Sequence, residues 1–249
     1  MSRRSAVARA KAYRPTEGHF GPLEEKLEVH VFENVPFALD PLEVHRLLSY
    51  VPGRRPPTRP ILQRIEEMIS ESRTLIEPRG AYAIRRLKEA PATGPFRGAE
   101  MVAYCVCTIG KKLENRVAEL SKKGEPLRAL ILDAVGSASV EAVTDVVNAA
   151  ICERIGQKDL FTNRRISPGY RGWSIEAQKE IFELIPTRFS GVTLRPTFFM
   201  DPRKSISAAI SVGRDVPHSK YVTICAYCNL TGCQFRRQPE PGQSESTHT

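Results

Sequence analysis

Nothing in the 249-residue sequence stays apolar for the roughly 20 residues that a membrane-spanning helix needs. The nearest approach, Ala129 to Ile151, is broken by Asp133, Glu141 and Asp145, so membrane insertion is not expected. Cysteine is sparse as well: six in a chain this long exclude a small disulfide scaffold and fit a reducing, cytoplasmic setting. Acidic residues are outnumbered, 28 against 37 Lys and Arg, giving a net charge of +9. Five of the basic residues, Arg3, Arg4, Arg9, Lys11 and Arg14, precede the first acidic one, Glu17, so the body of the chain is only mildly basic. The same N-terminal stretch lacks a continuous apolar segment, so a secretory signal is not expected; its Arg, Ser and Ala content resembles an organelle transit peptide only superficially. Residues 1–22 read as a disordered basic tail, 23–237 as one folded domain, and 238–249 as a second disordered tail. There are no internal repeats.

What is present is a mixture of strand and helix patterns. Leu27-Glu-Val-His-Val-Phe32 alternates as a half-buried strand does, and Asp40-Pro-Leu-Glu-Val-His-Arg-Leu-Leu48 predicts a short helix opened by proline. After the breaker-rich stretch 52–60, Ile61, Ile65, Met68, Ile69, Leu75 and Ile76 recur at helical spacing until Pro78 and Gly80 stop them. Met101 to Ile109 is β-rich and apolar on both faces, a buried strand with Cys105 and Cys107 on one side. From Pro126 to Ile155 a long helical pattern is dense in Ala, Gly and Ser, which reads first as tight packing against neighbours and only second as a cofactor-facing surface. Ser174 is placed to cap a helix ending before Pro186. Finally, 192–200 and 205–212 flank Asp201-Pro-Arg-Lys204 and predict a strand pair.

The stretch richest in chemistry is Arg165-Ile-Ser-Pro-Gly-Tyr170, a Pro-Gly turn with a guanidinium and an aromatic ring at its ends. A guanidinium fork suits a carboxylate, a carboxylate such as Asp159 suits hydroxyls or an amino group, and tyrosines offer a surface for a purine. Here the sequence resembles the activation domain of cobalamin-dependent methionine synthase, whose Arg-x-x-x-Gly-Tyr loop, with proline before the glycine, matches Arg165, Pro168, Gly169 and Tyr170. Asp159 holds the place of the family's acidic residue six positions upstream, one methylene shorter than its usual glutamate. Met200-Asp-Pro-Arg-Lys-Ser-Ile-Ser207 is similar to its Met-x-Pro-x-x-Ser-x-Ser element, and His218-Ser-Lys-Tyr221 to its Pro-x-Ser-Lys-Tyr element.

That resemblance implies an α+β fold, a twisted antiparallel β-sheet packed with long helices, in a stand-alone form of the domain. It implies S-adenosylmethionine as ligand, held by Asp159, Arg165, Ser167, Gly169, Tyr170 and Tyr221. It further implies reductive re-methylation of cobalamin, in which the cobalt itself is the nucleophile and the protein positions the sulfonium methyl group. The chain has no Asp-x-His-x-x-Gly cobalamin-anchoring signature, so the cobalamin is expected on a partner, a corrinoid protein or cobalamin-carrying methyltransferase, with electrons from a flavodoxin or ferredoxin type donor.

Cys225-Ala-Tyr-Cys228 and Cys233 are spaced to place three thiolates on zinc or an iron–sulfur cluster. The fourth ligand is open between Cys105, Cys107, Cys152 and His218; an open iron position or metal-free redox thiols are the alternatives. A cluster after Tyr221 would pass electrons toward the corrin. Two rival readings explain less. A basic nucleic-acid-binding protein with a zinc site fits the charge but lacks a complete knuckle and any aromatic-basic RNA motif, and a conventional S-adenosylmethionine methyltransferase lacks its Gly-rich loop after the first strand.

Overall fold

The computed structural model describes residues 16–18, 28–50, 55–89, 91, 94–156, 160–170 and 173–216. Its centre is a six-stranded antiparallel sheet in the order β1-β2-β3-β4-β8-β5, formed by Thr16–Gly18 (β1), Val29–Glu33 (β2), Arg79–Arg86 (β3), Met101–Thr108 (β4), Phe161–Thr162 (β5) and Ser205–Gly213 (β8). Thr193–Leu194 (β6) and Met200–Asp201 (β7) form a separate two-stranded ribbon.

Strand alternation sorts the side chains onto two covered faces. Residues Met101, Ala103, Cys105 and Cys107 of β4, with Ala208, Ile210 and Val212 of β8, pack under Pro41–Leu47 (α1), Arg59–Ser72 (α2), Lys112–Lys122 (α3) and Pro126–Gly156 (α4). Val102, Tyr104, Val106 and Ala209 face the short helices Gln178–Leu184 (α5) and Thr187–Ser190 (α6) through Ile181, Ile185 and Val192. All eight residues of β4 are therefore buried, as its two-faced apolar pattern predicts.

Local chemistry sets the helix starts. The Asp40 carboxylate accepts from the Leu42 N–H at 2.9 Å to open α1, and the Ser174 hydroxyl accepts from Glu176 N–H at 3.2 Å at the 3₁₀ turn 175–177 leading into α5. The small residues of α4 let its neighbours come close: a Cβ on Gly136 would stand 2.7 Å from Leu113 Cδ2. With α3, α2, α1 and the sheet around it, α4 is buried on most of its circumference. Among the described residues no helix is long and apolar enough to cross a membrane.

Two expectations change. The strand expected at 27–32 forms as Val29–Glu33, Leu27 lying outside the described residues, and is covered on both faces rather than one, with His30 stacked on Tyr82 at 4.6 Å between ring centres. The pair drawn between 192–200 and 205–212 does not form. Pro196 interrupts the first run, Arg195 N–H donates to Phe199 O, and Phe198 N–H donates to Arg195 O, so the run folds on itself as β6–β7. Freed of that partner, β8 inserts between β4 and β5, where its long buried face is satisfied on both sides. Five elements, β1, β3, α3, β5 and α6, have no counterpart in the patterns read from the sequence.

Candidate functional site

The segment 161–170 runs along the outer side of β8, and its register contains one surplus residue. Thr162 pairs with Val212 and Ile166 with Ala209, leaving three residues (163–165) opposite two (210 and 211). This is a β-bulge, a device that re-aims side chains at a sheet edge. Here Arg165 is turned toward α4. Its Nη2 lies 2.7 Å from Glu141 Oε2 and its Nη1 3.2 Å from Asp145 Oδ1, two carboxylates one helical turn apart. The arginine side chain is 18% exposed, its partners 42% and 47%. Burial opposes the charge, but the Asp145 and Glu141 carboxylates outweigh it and hold the guanidinium's pKa above its ordinary value.

Downstream the chain turns sharply. Tyr170 N–H donates to Ser167 O, Trp173 N–H to Tyr170 O, and Gly169 N–H to Trp173 O at 2.7 Å. Gly169 has φ +91°, a region costly for any residue with a Cβ. Pro168 is buried, Gly169 is exposed, and the Tyr170 ring is 53% exposed. The base of the turn is fixed by Trp173, packed edge-on against Phe96 at 5.0 Å. Arg165, Ser167, Gly169 and Tyr170 are thus one continuous rim, the guanidinium directed at the long helix and the phenol left to solvent.

The same stripe of α4 continues past the ion pairs. Asn148 Nδ2 lies 3.9 Å from Cys152 Sγ, which is 3.3 Å from Thr162 Oγ1, so helix and bulged strand are joined by polar contacts along their length. Glu141 and Asp145 escape sequence reasoning because carboxylates four apart on a helix read as a solvated face; the available signal was their position on the small-residue helix that precedes the loop. Of the remaining expected ligands, Asp159 and Tyr221 lie outside the described residues, as do Cys225, Cys228, Cys233 and His218. Cys105 and Cys107 share a face, as expected, but under α4, where hydrogen bonding to Cys105 and burial push the Cys107 thiol well up. Among the described residues no group of three or more His, Cys, Asp and Glu stands together to hold a metal ion.

No protein-family model matches the chain, and no curated protein matches it. A solved structure described as the MetH reactivation domain bound to AdoHcy does match in three dimensions, with a TM-score of 0.52 and 12% sequence identity, covering 84% of this chain and 84% of that one. The chain therefore has the α+β fold of the methionine synthase reactivation domain.

Proposed function

We propose that the chain binds S-adenosylmethionine at the edge where α4 meets the bulged segment 163–170 and presents its methyl group to a cobalamin carried by another protein. The observation that carries this reading is the Arg165 guanidinium, held by Glu141 and Asp145 on the rim of a Pro-Gly-Tyr turn. One cation and two carboxylates leave the cluster with a net charge of −1. S-adenosylmethionine, with a sulfonium, an ammonium and a carboxylate, is its complement at +1. The ligand's carboxylate takes the Arg165 fork and its ammonium takes the carboxylates that Arg165 now occupies, so every charge stays paired. Ser167 offers a hydroxyl, Gly169 an approach free of a side chain, and the exposed Tyr170 ring a face for the corrin. Asp159 and Tyr221 complete the contacts by their place in the motifs.

The cobalt of reduced cobalamin is the nucleophile, so the protein supplies no general base; its contribution is orientation of the sulfonium methyl in line with the metal. The cobalamin arrives on a corrinoid protein or cobalamin-carrying methyltransferase, with electrons from a flavodoxin or ferredoxin type donor in the cytoplasm. Cys225, Cys228 and Cys233 hold zinc or an iron–sulfur cluster; iron and sulfide analysis of anaerobically purified protein, with its visible absorbance, separates the two. The test of function is transfer of labelled methyl from S-adenosylmethionine to a reduced corrinoid protein. Label on cobalamin only when this chain is present supports the proposal, and equal transfer without it refutes the proposal.

A further inference from the structure

The Arg165 cluster is unbalanced. Arg165 brings one positive charge, while Glu141 and Asp145, 2.7 and 3.2 Å from its two terminal nitrogens, bring two negative ones. These are the carboxylates that act on the guanidinium, and among the described residues no second cation acts on it. Further up the same face of α4 the charges are matched: Asp133 Oδ1 lies 2.8 Å from Lys204 Nζ, which also donates to Ser137 Oγ at 2.8 Å. The surplus negative charge is therefore local to the Arg165 end of the row. It is also accessible, because the guanidinium is mostly covered whereas both carboxylates are nearly half exposed. Asp145 is the looser and the more exposed of the two.

S-adenosylmethionine carries a carboxylate, an ammonium and a sulfonium. Methyl transfer breaks the S–CH₃ bond, leaves that bond's electron pair on sulfur and draws the pair of the new bond from reduced cobalt. The ligand left behind, S-adenosylhomocysteine, is a neutral zwitterion, so substrate and product differ by one methyl group and one full charge.

We propose that Glu141 and Asp145 make the site select the sulfonium over the thioether, so that methyl transfer itself loosens the spent ligand. This rests on the S-adenosylmethionine reading above and adds to it the residues that separate substrate from product. A unit charge within a ligand's length of a half-exposed carboxylate, screened at a level between protein and water, is worth roughly 3- to 30-fold in affinity. Asp145→Asn leaves Arg165 and Glu141 as a neutral pair, whose complement is the zwitterion rather than the cation.

The test is calorimetric titration of the full-length chain with S-adenosylmethionine, S-adenosylhomocysteine and sinefungin, an analogue whose amine keeps the positive charge without a transferable methyl. Wild type binds the two cations with similar affinity and S-adenosylhomocysteine roughly 3- to 30-fold more weakly, and the gap narrows in about 1 M salt, where charges are screened within about 3 Å. Asp145→Asn, and in parallel Glu141→Gln, brings the three ligands within about 2-fold of one another. Asp133→Asn, twelve residues or about 18 Å along α4 from Asp145, keeps the wild-type ratio. A ratio of affinities is insensitive to a general loss of binding, so a merely structural role for the carboxylates would not move it. Wild type that holds S-adenosylhomocysteine as tightly as S-adenosylmethionine, or carboxylate variants that keep the wild-type ratio, overturns the inference and leaves the binding reading standing. A wild-type chain that binds neither compound overturns both.

Discussion

Arg165 points at α4 because one extra residue in the edge strand turns it there, and two carboxylates then fix its plane. Lysine cannot reproduce a fork that meets both Glu141 and Asp145, so Arg165→Lys and Arg165→Ala should both weaken S-adenosylmethionine, the alanine by roughly 10- to 100-fold, the worth of a charge-assisted contact. At Gly169, φ +91° makes alanine cost about 1 to 2 kcal/mol. Its added Cβ meets Ile175 Cδ1 at an ordinary 3.4 Å, so the penalty is conformational. Denaturant midpoints should show that loss with an unchanged slope; a midpoint equal to wild type contradicts the strained turn. Much of this rim was legible because Arg165, Ser167, Gly169 and Tyr170 are contiguous in sequence. Glu141 and Asp145 were not, since their partner lies 24 and 20 residues further on and only the fold joins them.

Elements were legible where period and burial agree. The two-faced apolar run of β4, the proline-opened α1 and the long small-residue α4 are all visible as patterns. β3 was missed because its Gly80, Ala81 and Ala83 carry little strand signal and Pro78-Arg-Gly80 reads as a helix stop. Those small residues have a purpose: a Cβ on Gly80 would stand 2.6 Å from Val147 Cγ2 and 3.3 Å from Cys107 Sγ, so α4 lies on the bare backbone of β3. Gly80→Ala should lose about 1 to 3 kcal/mol through overpacking against a stiff β-branched side chain. Retention of full stability on chemical denaturation would mean that α4 sits higher than described. α3 carried a usable signal in Leu113, Val117 and Leu120, diluted by the charges between them, and β8 was assigned the wrong neighbour because a turn in sequence suggested a hairpin that tertiary pairing outcompetes.

At the scale of the whole molecule, two core tyrosines contribute to loss of stability at alkaline pH. Burial, offset in part by Arg154 and reinforced by Glu28, pushes Tyr82 up to about 12, and burial with the Glu180 carboxylate pushes Tyr104 up as well. A group whose folded value is raised binds more protons folded than unfolded, so its contribution is intact below pH 10 and is lost as pH climbs toward 12. Tyr82→Phe should flatten that decline in thermal melts, and an unaltered slope would place the titration elsewhere. The same layered architecture keeps the polar stripe Glu141, Asp145, Asn148 and Cys152 at one edge, where α4 meets the bulged strand. The most direct measurement of the central claim is calorimetric titration of S-adenosylmethionine into wild type and Arg165→Ala. The expected result is saturable 1:1 binding to wild type and a loss of roughly 10- to 100-fold in the variant with its melting curve preserved; no heat of binding to wild type, with or without a corrinoid protein, contradicts the account.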